Sequence, residues 1–179
     1  MKHEQSKTWR YFEQNALTHS AAHYLMTIKE LKEENGYARL SDIADHMDVS
    51  AGSCSTTLGK LKEKGYIYDD EKKMYHLTDF GNELIDAVIK NEVLFQKFFH
   101  QTLGVDLWEA EVNACKIEHL ISPDIATALC QFLHFLESDT PIAQTYMKAF
   151  REYQEKNKTQ CADCDRENPS CQLNTKNDP

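Results

Sequence analysis

Apolar residues recur every three to four positions through most of this chain, and turn signals close each run. Across residues 21 to 34, Tyr24, Leu25, Ile28 and Leu31 keep helical spacing, and Asn35-Gly36 supplies a stop. Ahead of them Trp9, Tyr11, Phe12 and Leu17 are spaced more loosely, which predicts a short helix or an arm, with Thr18 and Ser20 as caps for the helix that follows. Residues 40 to 47 form a short amphipathic segment capped by Ser41. The turn Asp48-Val49-Ser50 leads into a helix over residues 51 to 64 whose Leu58 and Leu61 face the core. The period then changes. Tyr66-Ile67-Tyr68 and Met74-Tyr75-His76-Leu77 flank a charged turn over residues 69 to 73, the pattern of a β-hairpin. Helix, tight turn, helix and hairpin in that order predict a winged helix-turn-helix.

The remainder reads as helix throughout. Thr78 caps a long helix that carries Leu84, Val88, Phe95, Phe98 and Phe99 and ends near Gly104. The next opens at Asp106 and closes near Pro123, with Leu107, Ala110, Ala114, Ile117 and Ile121 as its core stripe. Ser122-Pro123 and Thr140-Pro141 start two more helices, whose apolar lines are Ile125, Leu129, Phe132, Leu133, Leu136 and then Ile142, Tyr146, Phe150, Tyr153. The fold class is therefore mainly α with a small β-hairpin. A winged-helix domain spans residues 1–80, a helical domain spans 81–153, and a polar, Cys-containing, flexible tail spans 154–179. Short helices with this much aromatic surface predict a homodimer.

Candidate chemistry gathers beside the core stripe of the helix after Asp106. Glu111, Cys115, Glu118 and His119 share a face there, so two carboxylates, a thiol and an imidazole converge at the edge of a buried surface, where a partner element could complete a metal site. Glu92 and Gln96, one turn apart on the preceding long helix, can face that stripe. On the second helix of the winged domain, Ser50, Ser53, Ser55, Thr56 and Thr57 can bond phosphate oxygens or base edges without blocking close approach.

Charge modifies this reading. The net charge of −9 over 179 residues argues against a simple polyanion binder. Residues 37 to 80 hold Arg39, Lys60, Lys62, Lys64, Lys72 and Lys73 against eight acids, so DNA contacts rest on Arg39, Lys60, a few further lysines, hydroxyls and helix N-termini. No apolar run reaches membrane-spanning length and residues 1 to 5 lack a signal-peptide core, which predicts a cytoplasmic protein without a membrane partner. Of six cysteines, Cys161, Cys164 and Cys171 crowd into the tail. In a reducing compartment they are thiols or ligands rather than disulfides. No glycine-rich phosphate loop, nucleophile motif or general base beside an open metal position points to an enzyme or a small-molecule substrate.

In their joint order and spacing, Tyr24-Leu25-Met26-Thr27-Ile28, Ser41-Asp42-Ile43-Ala44, Leu58-Gly59-Lys60-Leu61, Gly65-Tyr66-Ile67, Leu77-Thr78 with Gly81, Gly104-Val105-Asp106 and Glu118-His119 resemble the diphtheria-toxin-repressor family of iron- and manganese-dependent transcriptional regulators. The resemblance covers roughly residues 20 to 140. It implies a short form without the C-terminal SH3-like domain and a regulatory metal site at His23, Cys115, Glu118 and His119. Iron-responsive members tend to carry Cys where Cys115 stands, and His23 replaces the family's usual Met or Asp. Met26 stands where manganese-responsive members have a carboxylate. The family's second metal site maps onto Glu92, Gln96 and Glu111, a weakened or lost version.

The function this implies is a repressor of metal-uptake or homeostasis genes that binds a palindromic double-stranded operator as a homodimer when Fe(II) is bound. Zn(II), Co(II) and Mn(II) are the alternatives, manganese the least suited to a thiolate and two imidazoles. A second expectation keeps the DNA-binding fold but senses redox state, or an iron–sulfur cluster, through Cys161, Cys164 and Cys171, with Cys130 or a second subunit giving a fourth ligand.

Overall fold

The computed structural model describes residues 17–157. Helix α1 spans His19–Asn35. The Thr18 hydroxyl caps it by accepting the Ala21 N–H, and Gly36, at φ 81°, closes it by donating its N–H to the Lys32 carbonyl. The helix starts two residues earlier than the apolar spacing predicts, which places His19 on it. Its Leu25, Ile28 and Ala22 are fully buried. Leu17 is buried, while Trp9, Tyr11 and Phe12 of the expected arm lie outside the described residues.

Helix α2 spans Leu40–His46 and α3 spans Ala51–Glu63. Ser41 does not cap α2 as expected: the position before the helix is Arg39, with no side-chain cap, and the Ser41 hydroxyl donates to Asp42 Oδ1 at 3.1 Å. Leu40 packs against the core, and that packing draws the helix start back by a residue. Ser50 does cap α3, accepting the Ser53 N–H at 3.2 Å. Cys54, Leu58 and Leu61 form the buried face of α3, and the Cys54 thiol lies 3.8 Å from the Leu40 carbonyl, a small core residue in use.

Strands β1 (Ile67–Asp69) and β2 (Tyr75–Leu77) pair antiparallel with Ile67 opposite Leu77, Tyr68 opposite His76 and Asp69 opposite Tyr75. Asp70 ties the turn between them. Its carboxylate accepts the Lys72 N–H at 2.9 Å, the Met74 N–H at 3.0 Å and a contact from His76 Nε2 at 3.1 Å. The Met74 and His76 bonds hold this carboxyl below the usual range.

Helix α4 spans Asp79–Lys97, and its Ile85 and Val88 complete one hydrophobic core with α1, α2, α3 and the hairpin. A salt bridge from Lys29 to Asp86 joins α1 to α4 at the surface. The Thr78 side chain accepts the Gly81 N–H at 3.0 Å and lies within reach of the Gly65 and Tyr66 carbonyls. Replacing Thr78 with Ala is expected to cost about 1–2 kcal/mol, read as a lower urea midpoint at unchanged m-value.

A five-residue π-turn, Phe98–Thr102, ends α4, and Gly104 at φ 75° redirects the chain into α5, Leu107–Ile117, capped by the Asp106 side chain on the Trp108 N–H. Ala110 and Ala114 are fully buried, so α5 lies close against α4. The expected core stripe fails at its first position: Leu107 is 46% exposed and Trp108 68%. The first turn of α5 stays at the surface, and it is Ala110 and Ala114 of the following turns that are fully buried. The helix also stops short of the expected end near Pro123. After Ile117 it tightens into a 3₁₀ turn, Glu118–Leu120.

Helix α6 spans Pro123–Leu136 and α7 spans Pro141–Lys156, the latter capped by Thr140. The chain divides into two compact units after Cys130. The first contains the winged helix, α4 and α5 together; in the second, the Phe132 and Tyr146 rings meet edge-on at 6.3 Å. Among the described residues no helix is long and apolar enough to cross a membrane.

Candidate metal centre

The first turns of α1 and the end of α5 bring four side chains together. His19 and His23 are one helical turn apart, and their rings meet edge-on with centroids 4.4 Å apart. Cys115 Sγ lies 3.3 Å from His23 Nε2, across 92 positions of sequence. Glu118 approaches from the 3₁₀ turn. One ligand atom from each of His19, His23, Cys115 and Glu118 lies within 4.8 Å of all the others.

Glu118 is the unusual member. Its side chain is fully buried, and neither carboxylate oxygen has a hydrogen-bond partner. A buried, unpaired carboxylate costs several kcal/mol, so the group either keeps a proton or faces a cation. Burial, helped by the negative charge of Glu92, pushes its pKa up to about 8. Burial and the nearby Glu118 and Glu92 push the Cys115 thiol up as well. Burial holds His23 and His119 below the usual histidine range, and His19 lowers both further. Burial thus favours the protonated forms of the Glu118 acid and the Cys115 thiol and the neutral forms of the His23 and His119 imidazoles. Exchange of those protons for a divalent ion is the chemistry of a metal-binding site, and the residues fit such an ion.

The local fold explains the aim of Glu118. Asn91 on α4 donates from Nδ2 to the Glu118 carbonyl at 2.9 Å, which fixes the 3₁₀ turn and directs the side chain inward. Of the residues expected to form the site, His23, Cys115 and Glu118 converge. His119 lies at the edge of the group, its ring tilted against His19 with centroids 5.4 Å apart and its Nδ1 buried without a partner. His19 joins the cluster unannounced. Its signal was the spacing of four to His23, visible only once the helix is known to begin at residue 19.

The winged helix presents its polar residues on the opposite side of α3 from Cys54, Leu58 and Leu61. Ser53, Ser55, Thr56 and Lys60 are exposed, and Thr57 is half-buried. Ser50 and Thr56 use part of their capacity on the backbone, Thr56 donating to the Gly52 carbonyl at 3.0 Å. Arg39 is exposed and stacks its guanidinium 4.5 Å from the centroid of the Tyr37 ring.

Residues 16–74 match the iron dependent repressor, N-terminal DNA binding domain, and residues 78–144 match the iron dependent repressor, metal binding and dimerisation domain. The HTH-type transcriptional regulator MntR of Shouchella clausii is 30% identical over 140 residues, which cover 78% of this chain and 94% of that protein. The chain belongs to the iron-dependent repressor family. The diphtheria toxin repressor of Corynebacterium glutamicum is 26% identical over 110 residues, 62% of this chain and 48% of that one, so the chain spans about half the length of that relative. Among solved structures, the metal-dependent transcriptional regulator MtsR superposes with a TM-score of 0.58 at 28% identity, covering 66% of this chain and 54% of that one.

Within this family member, the positions expected to hold a weakened second site are near one another. Gln96 Nε2 donates to Glu111 Oε1 at 3.0 Å, and Glu92 has its carboxyl raised by burial and by the charges of Glu30 and Glu111. The amide therefore already occupies one oxygen of Glu111. Cys130 on α6 is half-buried, while Cys161, Cys164 and Cys171, with the rest of the expected tail past residue 157, lie outside the described residues.

Proposed function

We propose that this protein is a metal-activated transcriptional regulator, a repressor of metal-uptake or homeostasis genes that binds a palindromic DNA operator as a homodimer. The observation that carries the reading is the meeting of Cys115 Sγ and His23 Nε2 at 3.3 Å beside the buried, unpartnered Glu118 carboxylate. His23 sits on α1, the first helix of the core that α3 and the wing share. Cys115 and Glu118 sit on α5 and the turn that closes it. These side chains can therefore tie the DNA-reading half to the helices that follow it.

Bound there, a divalent cation supplies the positive charge that a neighbouring thiolate, carboxylate and pair of imidazoles otherwise lack. His23, Cys115 and Glu118 are the residues that would hold it, with His119 at the edge. A thiolate with imidazoles favours Fe(II) among the family's metals, with Zn(II) and Co(II) next and Mn(II) last. The site changes DNA affinity only through its preference for one arrangement of α1 against α5.

On the DNA side, α3 enters the major groove through Ser53, Ser55, Thr56, Thr57 and Lys60, with Ser50 at its N-terminus and Arg39 on the flank toward phosphate. The acidic balance of the chain makes non-specific binding weak, so the contacts that survive are the specific ones. Two copies of α3 in successive major grooves require a two-fold operator.

An anaerobic gel-shift assay on the chain's own upstream DNA tests the reading. Fe(II) is expected to tighten binding at least about tenfold over a chelator-treated sample, a coupling of about 1.4 kcal/mol or more. Equal retardation in the two samples sinks it.

A further inference from the structure

Resting on the metal-site reading above, we propose that His19 is a protein ligand of the same centre, which makes it a four-coordinate site of two imidazoles, one thiolate and one carboxylate. Two histidines spaced by four on one helix face present their ring nitrogens to one point, the arrangement by which a single helix supplies a pair of ligands to zinc. Here the pair lies in the first turns of α1, and the other two donors come from α5 and its 3₁₀ turn. All four donor atoms lie within 4.8 Å of one another. With metal–nitrogen bonds of about 2.0–2.1 Å and a metal–sulfur bond of about 2.3 Å, tetrahedral geometry sets donor atoms roughly 3.3–3.6 Å apart. The Cys115 Sγ to His23 Nε2 distance of 3.3 Å is already of that size.

Two further observations point to a ligand rather than to a packing cluster. Glu118 is fully buried with both oxygens partnerless, and it belongs to the four. His19 is itself exposed, so its imidazole can complete the shell from the solvent side without any rearrangement of the core. His119 then flanks the shell through its ring contact with His19 at 5.4 Å. Four protein donors of this kind select ions that accept tetrahedral nitrogen and sulfur, namely Zn(II), Co(II) and Fe(II), over Mn(II), which prefers more numerous oxygen donors.

Cobalt reports this geometry directly. Full-length protein loaded anaerobically with Co(II) is expected to show the intense visible bands of four-coordinate cobalt, together with near-ultraviolet thiolate-to-cobalt charge transfer. His19→Ala is expected to collapse the visible bands to the weak absorption of higher-coordinate cobalt and to lower Co(II) affinity about 10–100-fold while the charge-transfer band remains. His19→Gln serves as a second variant, and the far-ultraviolet circular dichroism of both should equal that of the parent because the side chain is exposed. Unchanged spectrum and affinity in these variants, with His119→Ala losing both, overturns the assignment of His19 and leaves the metal site standing. Absence of the charge-transfer band in the parent, or its survival in Cys115→Ser, overturns the metal-site reading and this assignment with it.

Discussion

Replacing Glu118 with Gln is expected to make the metal-free protein more stable at pH 8 and to weaken cation binding by about a hundredfold. The side chain is buried without a partner, and its pKa in the fold is pushed up to about 8 from 4.5 for an unperturbed Glu. Between those values the unfolded chain has released a proton that the folded chain retains. Fewer bound protons in the unfolded state mean that stability falls as pH rises through this window, and the whole contribution is present only below the lower value. Gln imitates the protonated acid. The two proteins should therefore melt alike near pH 5 in chelator and separate as pH rises toward 8, the variant melting higher.

The imidazoles act in the other direction. His23 and His119 are held below the usual range, so the unfolded chain binds more protons than the fold below about pH 6.5, and stability falls with acid there. For this reason the test is the difference between variant and parent across pH, rather than the parent's own curve. Adding Zn(II) reverses the order, because ligand binding stabilises the fold in proportion to affinity and the variant lacks a donor. A difference that stays flat from pH 5 to 8 means that Glu118 is not the buried acid the structure shows.

Gly81→Ala is expected to destabilise the winged-helix core by about 3 kcal/mol, measured by urea denaturation. A Cβ at this position would stand 2.1 Å from the Tyr66 carbonyl oxygen and 3.1 Å from its carbon. Those are backbone atoms, which no rotamer change can move. The same oxygen accepts the Thr78 N–H at 3.0 Å and lies 3.1 Å from the Thr78 hydroxyl, so displacing it also loosens the cap of α4. Tyr66 is buried at the base of the wing, and a shift there carries into β1. Gly59→Ala is the contrast. A Cβ at Gly59 meets nothing within 4 Å inside α3, and the change should stabilise by about 0.5–1 kcal/mol through helix propensity alone. Equal effects at the two glycines would show that the close approach of α4 to Tyr66 is absent.

Much of the fold was legible in the sequence because local chemistry acts over a few residues. Thr18, Ser50, Thr78, Asp106 and Thr140 all cap helices, and each stands just before an apolar run with helical spacing. The hairpin followed from a charged turn between two short aromatic and apolar runs. Ser41 misled because a hydroxyl near a helix start is a cap only if the chain turns there, and Leu40 moved that turn by packing into the core. Leu107 misled because the stripe of α5 has the right period but its first turn lies at the surface, where periodicity alone does not say which turns are covered.

The candidate site divides the same way. Cys115, Glu118 and His119 lie together in the chain, and their ligand chemistry was apparent from residue type. His19 was not, since whether it shares a face with His23 depends on where α1 begins. Full burial of Glu118 was also hidden, because it requires α5 to tighten after Ile117 and Asn91 to hold the Glu118 carbonyl, a contact spanning 27 positions.

By itself, the order of residues determined the succession of helices and wing, the hydroxyl-rich outer face of α3, and the presence of a thiol, an acid and an imidazole on one short stretch. These are consequences of periodicity and capping, whose range is one or two turns. Only the tertiary structure decided that α1 delivers two histidines to that stretch and that one carboxylate is left buried without a hydrogen bond. Both depend on distances across the core, and those are set by packing between elements that the local pattern leaves free.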